Sequence, residues 1–497
     1  MMEEQEITIT KKLKKPPGFF ELGCFCALTA QIISHFSSAQ AAEISGIGPV
    51  LDRFNLTLEA GYRTEAAGPF FYSETKDSET TWAIPPFFSG HRDSATESQE
   101  EDFLYPLFTH IRYGQEQRWQ FVQLLSLSSG QEQGVDDKKR FTLFPFYFQQ
   151  RSPDTNLNYT AVFPFYGHLK DRLFRDEMFF VMFPIYGETR KHDVVTENYL
   201  YPFVHVRHGD GLNGWQVWPV VGSEHKDVTT STNGFGDVSL VAGHDKSFFL
   251  WPLWLKQDSG TGTENPEKFR ASIPFYASTR SPQRGSTSVL WPLFTWIDER
   301  GKKYHEWQGP WPLVIFTRGE GKTTSRVFPL FSESRNAVKE SDSYLWPLYV
   351  YHRTHAGSLD QKKTRVLFYL YSKTTEQNTQ TGVEKRRLDM WPFFTWHRDF
   401  NGNERLQVLA PLEPVLPNNR GIERNWSPLW SFWRAEDNAK TGAASRSLLW
   451  NLYRRDTAPA HKKVSLLFGL FQYQSDGETR QTRWFYFTVS KTSPPAK

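Results

Sequence analysis

An aromatic–proline word recurs from one end of this chain to the other, and it constrains the fold more than any other feature. Copies stand at Tyr105-Pro106-Leu107, Phe144-Pro145-Phe146, Phe163-Pro164-Phe165 and Phe183-Pro184-Ile185, then at Trp251-Pro252-Leu253, Trp291-Pro292-Leu293, Trp346-Pro347-Leu348 and Trp391-Pro392-Phe393. The central prolines fall at 145, 164, 184, 202 and 219, and again at 274, 292, 312, 329 and 347. A fixed step of 17–20 residues between neighbours marks a repeat architecture, one supersecondary unit copied many times. Hydrophobic content is modest at 38%, yet aromatic residues alone supply 16%, so rings carry much of what can be buried. Rings favour strands and boundaries between wet and dry surroundings.

Each unit reads as a run of eight to eleven aromatic, β-branched and Leu residues followed by a polar connection. In Lys463–Tyr473 one side carries Val464, Leu466, Phe468 and Leu470, and the other is mixed. That alternation is the signature of a strand. Connections such as 152–156, 210–214, 401–403 and 475–478 are rich in Gly, Asn, Asp and Ser and read as tight turns. Pieces this short, joined by turns, predict an all-β, antiparallel, up-and-down sheet of about 22–24 strands, one per repeat. So large a sheet is expected to close into a barrel. A β-solenoid or stacked sheets are the alternatives. Proline cannot donate to a ladder, so the recurring proline predicts either a ring of bulges or a strand start at each copy.

The first residues resemble an export signal. Lys11, Lys12, Lys14 and Lys15 precede a mostly apolar stretch from Leu22 to Ile33, and Ala39-Gln40-Ala41 supplies a small-residue cleavage site. The expected division is a signal peptide over 1–41, a β-repeat domain over 42–487 and a disordered tail over 488–497. Cys24 and Cys26 both fall in the signal, so the mature chain is expected to be free of thiol chemistry. The 58 basic residues nearly balance the 55 acidic ones and are interspersed, which argues against a nucleic-acid partner.

An exported chain of short antiparallel strands with rings at repeated heights resembles, in general form, the bacterial outer-membrane β-barrel class. The resemblance implies Leu56–Arg63 as a first strand and Phe485-Tyr486-Phe487 as a closing one. It also implies a location in the outer membrane, with a structural or passive pore role and membrane lipid as the partner. The alternative is a soluble or surface-attached scaffold, in the periplasm or at the cell surface. It would bind an envelope protein or polysaccharide through exposed rings.

No catalytic, cofactor-binding or metal-binding residue is assigned, and no enzyme activity is expected. Arg318–Thr323 ends like a phosphate loop but has Phe316 where the first glycine belongs, so it reads as a turn. His205, His208 and Asp210, and likewise His352 and His355, have a spacing that puts the two rings on opposite faces of a strand. Glu97, Glu100, Glu101 and Asp102 read as a hydrated loop. Arg190, Arg280, Arg318, Arg335, Arg353, Arg398, Arg434 and Arg454 read as solvated strand ends. Partner contacts are expected in the longest connections, near 90–102, 223–247 and 372–388.

Overall fold

A computed structural model describes residues 50–122, 124–131, 138–232 and 236–492. The expected signal peptide and its cysteines lie outside the described residues. The described residues hold 45 strands, numbered β1 (Asp52–Asn55) to β45 (Phe487–Thr492) in chain order. Of these, 43 form one sheet in which every neighbouring pair is antiparallel and sequential, apart from one step. There β19 (Val221–Lys226) pairs with β22 (Gly243–Phe249), and β20 (Thr229–Thr232) with β21 (Val238–Val241) forms a separate hairpin.

The all-β, antiparallel, up-and-down expectation holds, while the strand count of 22–24 does not. The repeat is one hairpin and not one strand, because the aromatic–proline word is itself a turn. Between β16 (Val194–Tyr199) and β17 (Val204–Gly209) lie Leu200, Tyr201, Pro202 and Phe203, with the Phe203 N–H donating to the Leu200 carbonyl at 2.9 Å. The Tyr201–Pro202 bond is cis, which makes this a type VI turn. Strands on either side are about six residues long, shorter than the eight to eleven expected. Runs such as Lys463–Tyr473 fold as the end of one strand, a turn at Leu467-Phe468 and the start of the next.

These turns all fall on one rim, since every second connection returns to it. The other rim is made of polar turns such as His192-Asp193, Asp210-Gly211, Glu320-Gly321 and Gly477-Glu478. Residues 56–60 are a loop of that rim, so the first strand is Asp52–Asn55. Phe485-Tyr486 is a turn on the apolar rim, not a closing strand, and β45 takes 488–492 out of the expected tail. The three stretches expected to be long connections are mostly strand: 90–102 belongs to a hairpin turning at 94–97, and 372–388 to one turning at 379–383.

The sheet is not closed. Among the described residues β1 pairs only with β2 (Gly61–Ala66), and β45 only with β44 (Thr479–Trp484). Two physical reasons stand against closure. With an odd number of strands the first and last run the same way, so an antiparallel barrel has no closing pair. Nor does stagger accumulate, whereas a barrel needs tilted strands and a fixed shear. The residue next to the apolar rim pairs with its counterpart strand after strand: Tyr147, Val162, Tyr166, Val181, Tyr186, Tyr199, Val204, Val217, Val221 and Phe249 form one straight row.

Burial concentrates in the next row, on the opposite face. Ser89, Asp102, Thr109, Thr142, Ala161, Ala277, Ser288, Thr295, Ser372 and Thr395 are all buried there, and nearly all are small. Small residues suit this row because rings from the turns close over it. A Cβ at Gly187 would lie 3.7 Å from the Phe183 ring, while the row's larger members Phe148 and Phe180 are buried in the same layer, Phe163 packing on Phe180 with centroids 5.6 Å apart.

Candidate functional site

The apolar rim is the surface on which this chain spends most of its unusual composition. Leu250, Trp251 and Leu253 are 41–48% exposed with Leu290, Trp291 and Leu293, and the Tyr199 row beside them is half-exposed to exposed. Successive turns touch through their rings. Phe163, Phe183 and Tyr201 form one chain at 5.5 and 5.6 Å, and Trp218 meets Trp251 at 5.7 Å. Adjacent turns are two strands apart, about 10 Å along the sheet, so only large side chains bridge the gap.

The backbone of the rim is also bonded from turn to turn. In Met182–Ile185 the Phe183 N–H donates to the Pro164 carbonyl at 2.7 Å, the Met182 N–H to Phe165, and the Ile185 N–H back to Met182 at 2.8 Å. In turn the carbonyls of Pro184 and Ile185 accept from Tyr201 at 2.8 Å and Leu200 at 2.7 Å. All three donors and three of the four carbonyls of the tetrad are thus engaged, and the fourth residue, proline, has no N–H to satisfy. The same pattern recurs at Leu345–Leu348, where Trp346 donates to the Pro329 carbonyl at 2.8 Å. Proline sits on the acceptor-only position of a ladder of turns. That resolves the conflict its recurrence posed for a strand, and neither a bulge nor a strand start is needed.

A second constellation joins the two ends of the ribbon. The segment between Leu409 and Phe432 replaces one rim turn with a helix (Arg420–Asn425) and a shorter one (Ser427–Trp430). Asn419 caps the first, accepting from the Ile422 N–H at 3.0 Å. From this insertion Arg424 reaches the inner row near the N-terminus. Its guanidinium donates to Ser89 Oγ at 2.8 Å and Glu100 at 2.6 Å, and pairs with Asp102. Asp102 also accepts from Thr109 and from Asn425, each at 2.9 Å. The Tyr72 hydroxyl donates to the Arg424 carbonyl at 3.0 Å.

Beside it, Glu65 accepts from Arg63 at 2.7 Å, Asn451 at 2.8 Å and Arg434 at 3.2 Å. Burial alone would raise the Glu65 carboxyl, but Arg63, Arg434 and Arg454 outweigh it and hold the group below its ordinary value. The guanidinium of Arg454 lies 3.4 Å over the Phe54 ring.

The expected hydrated loop at 97–102 is therefore corrected. Asp102 is buried because it lies on a strand, β6 (Ser98–Phe103), facing the inner row, and an arginine from the far end of the chain compensates it. Arg454 is a buried partner and Arg434 a half-buried one, not solvated ends, while Arg190, Arg280, Arg318, Arg335, Arg353 and Arg398 are exposed or half-exposed toward the polar rim. In Arg318–Thr323 the turn is Glu320-Gly321, with Arg318 and Gly319 ending one strand and Lys322 and Thr323 starting the next. His205 and His208 stand in one strand, and Asp210 lies in the following turn, salt-bridged to Lys226 at 2.9 Å. His352 and His355 share β33 (Tyr349–Ala356).

The interruption of the repeat between 409 and 432, with its Asn418-Asn419 pair before an apolar-spaced run, is the sequence signal by which the insertion was findable. The distant partners of Arg424 left none. No helix among the described residues is long and apolar enough to cross a membrane. No protein-family model matches the chain, and no curated protein is similar to it.

Proposed function

We propose that the protein is an exported structural element of the cell envelope, a β-ribbon that works where water meets an apolar phase. One observation carries the reading: a single rim presents a long file of half-exposed Leu, Trp, Phe and Pro, interrupted by the helical insertion between Leu409 and Phe432, and the opposite rim presents mostly polar turns. Exposed apolar patches of more than a few hundred Å² on a water-soluble chain mark a contact surface. The role is structural and not catalytic in this reading, since the buried charges near the ribbon's ends are engaged by one another.

A membrane-spanning pore draws less support. Strands of about six residues reach about 20 Å, and spanning strands take about 9–11 residues. The apolar character is also confined to the turns and the adjoining row, well short of the roughly 25 Å band a spanning barrel shows.

Fractionation tests the proposal. The chain is expected to stay with the envelope through osmotic shock and a high-salt wash, and to leave it with detergent. Recovery in the shock fluid or the cytosol would sink it.

A further inference from the structure

We infer that the apolar phase is one leaflet of a phospholipid bilayer, which the rim enters edge-on to the depth of its turns and first side-chain row. The inference rests on the envelope reading above and names the partner of the same surface. Three observations carry it.

The first is the largely satisfied backbone. A surface entering hydrocarbon must satisfy its N–H and C=O groups internally, because each one left open costs several kcal/mol. At Met182–Ile185 and Leu345–Leu348 the turn-to-turn ladder satisfies all three N–H groups and three of the four carbonyls without water or a partner's donors. The second is the direction of the tyrosines just behind the tips. Tyr199 donates its hydroxyl to Glu197 at 2.6 Å, Tyr344 to Glu333 at 2.6 Å and Tyr186 to Glu188 at 3.3 Å. Each carboxylate is on the side away from the rim, so every one of these rings points its apolar body toward the tip and its polar end toward water. That is the posture of an aromatic at headgroup level.

The third is shape. The same chemistry repeats at about 10 Å intervals along nearly the whole ribbon and is only one or two residues deep. A folded partner recognises a compact patch of about 800 Å² on each side. A line of uniform apolar tips instead matches a fluid with no shape of its own, and its depth matches the roughly 5–10 Å burial of chains that lie in one leaflet.

The test uses the folded full chain and vesicles of phosphatidylethanolamine with phosphatidylglycerol. The protein is expected to float with the vesicles. Its tryptophan emission should be quenched more by lipids brominated near the headgroup than by lipids brominated near the chain ends. Leu253, Leu293 and Leu348 follow the prolines and are 41–48% exposed, so replacing them with lysine does not open the inner row. The triple variant Leu253→Lys, Leu293→Lys, Leu348→Lys is expected to partition about tenfold less or worse, with an unchanged circular dichroism spectrum. Phe174→Lys, at a tip of the polar rim, is expected to float as the parent does.

Folded parent protein that fails to float overturns the inference, as does a triple variant that floats undiminished. If the protein remains in the envelope fraction of cells but ignores vesicles, the lipid assignment falls and the envelope reading stands. If the lysines abolish self-association while flotation persists, the rim is an interface between copies and the inference is overturned.

Discussion

Removing the Arg424 guanidinium should loosen one of the contacts that join the two ends of the ribbon without disturbing its middle. The side chain of Arg424 is 6% exposed and that of Asp102 0% exposed, so Arg424→Ala leaves a carboxylate buried with only the weaker donors Ser89, Thr109 and Asn425. Breaking a buried pair on one side costs about 3–5 kcal/mol. The remaining hydrogen bonds place this case near the lower figure. About 3 kcal/mol is a factor of roughly 150 in a local opening constant. In a chain of sequentially paired strands each unit leans on its neighbours, so the loss should stay local. Amide hydrogen exchange reads it directly. Amides of Phe88–Asp93 and Arg420–Asn425 should exchange about a hundredfold faster, and those of Val314–Gly319 should not change. The double variant Arg424→Ala, Asp102→Asn should recover part of the protection, because no charge is left unpaired. Unchanged exchange at Phe88–Asp93, or acceleration spread evenly along the chain, would refute the reasoning.

Gly167→Ala should destabilise by about 1–3 kcal/mol, because the new Cβ would fall 2.6 Å from the ring of buried Phe180 and 2.4 Å from Ala161; an unshifted urea midpoint would contradict it. His397 is pushed down to about 3 by burial, with Arg387 and Arg405 adding to it. Its folded form stays neutral where the unfolded form takes a proton, so its share of stability is full above about pH 6.5 and drains as pH falls below that. Between pH 6.5 and 4.5 about 2–3 kcal/mol should go, and His397→Gln should flatten that part of the stability–pH curve. The turn Leu173-Phe174 holds two left-handed residues at φ 54 and 60, and Phe174 is 96% exposed. Replacing the pair by Asn-Gly should stabilise by about 1–2 kcal/mol, seen as a higher melting temperature.

Much of the fold was legible because the period and the turn chemistry are both local. The strand count was misread by a factor of two for a specific reason. A run such as Phe163-Pro164-Phe165-Tyr166 has the composition of a strand, and composition does not reveal that its first three residues are a turn. Proline's missing donor was the available clue. It pointed away from a strand interior, and the turn ladder that absorbs it involves carbonyls from the preceding repeat, 17–20 residues away. The ends of the ribbon were illegible for the same reason at longer range. Arg424 and Asp102 are 322 residues apart, and nothing in the neighbourhood of Glu97–Asp102 distinguishes a buried acid from a solvated one.

The same register that misled the barrel expectation is what gives the rim its character. Had each strand slipped by one residue against the last, the sheet could have tilted and curled toward a barrel, and Tyr186, Tyr199 and Val204 would have been spread across its height. With no accumulating stagger beyond one two-residue step between β9 (Leu125–Gln131) and β10 (Lys139–Phe144), rim-adjacent positions stay close to one level, so a modest 38% apolar content is gathered along one edge. Closure and a one-sided apolar edge are therefore competing uses of one pattern. An unstaggered sheet with an odd strand count gives up the first to obtain the second, and its ends are then joined by side chains, Arg424 and Arg434 among them, where a barrel would use backbone hydrogen bonds.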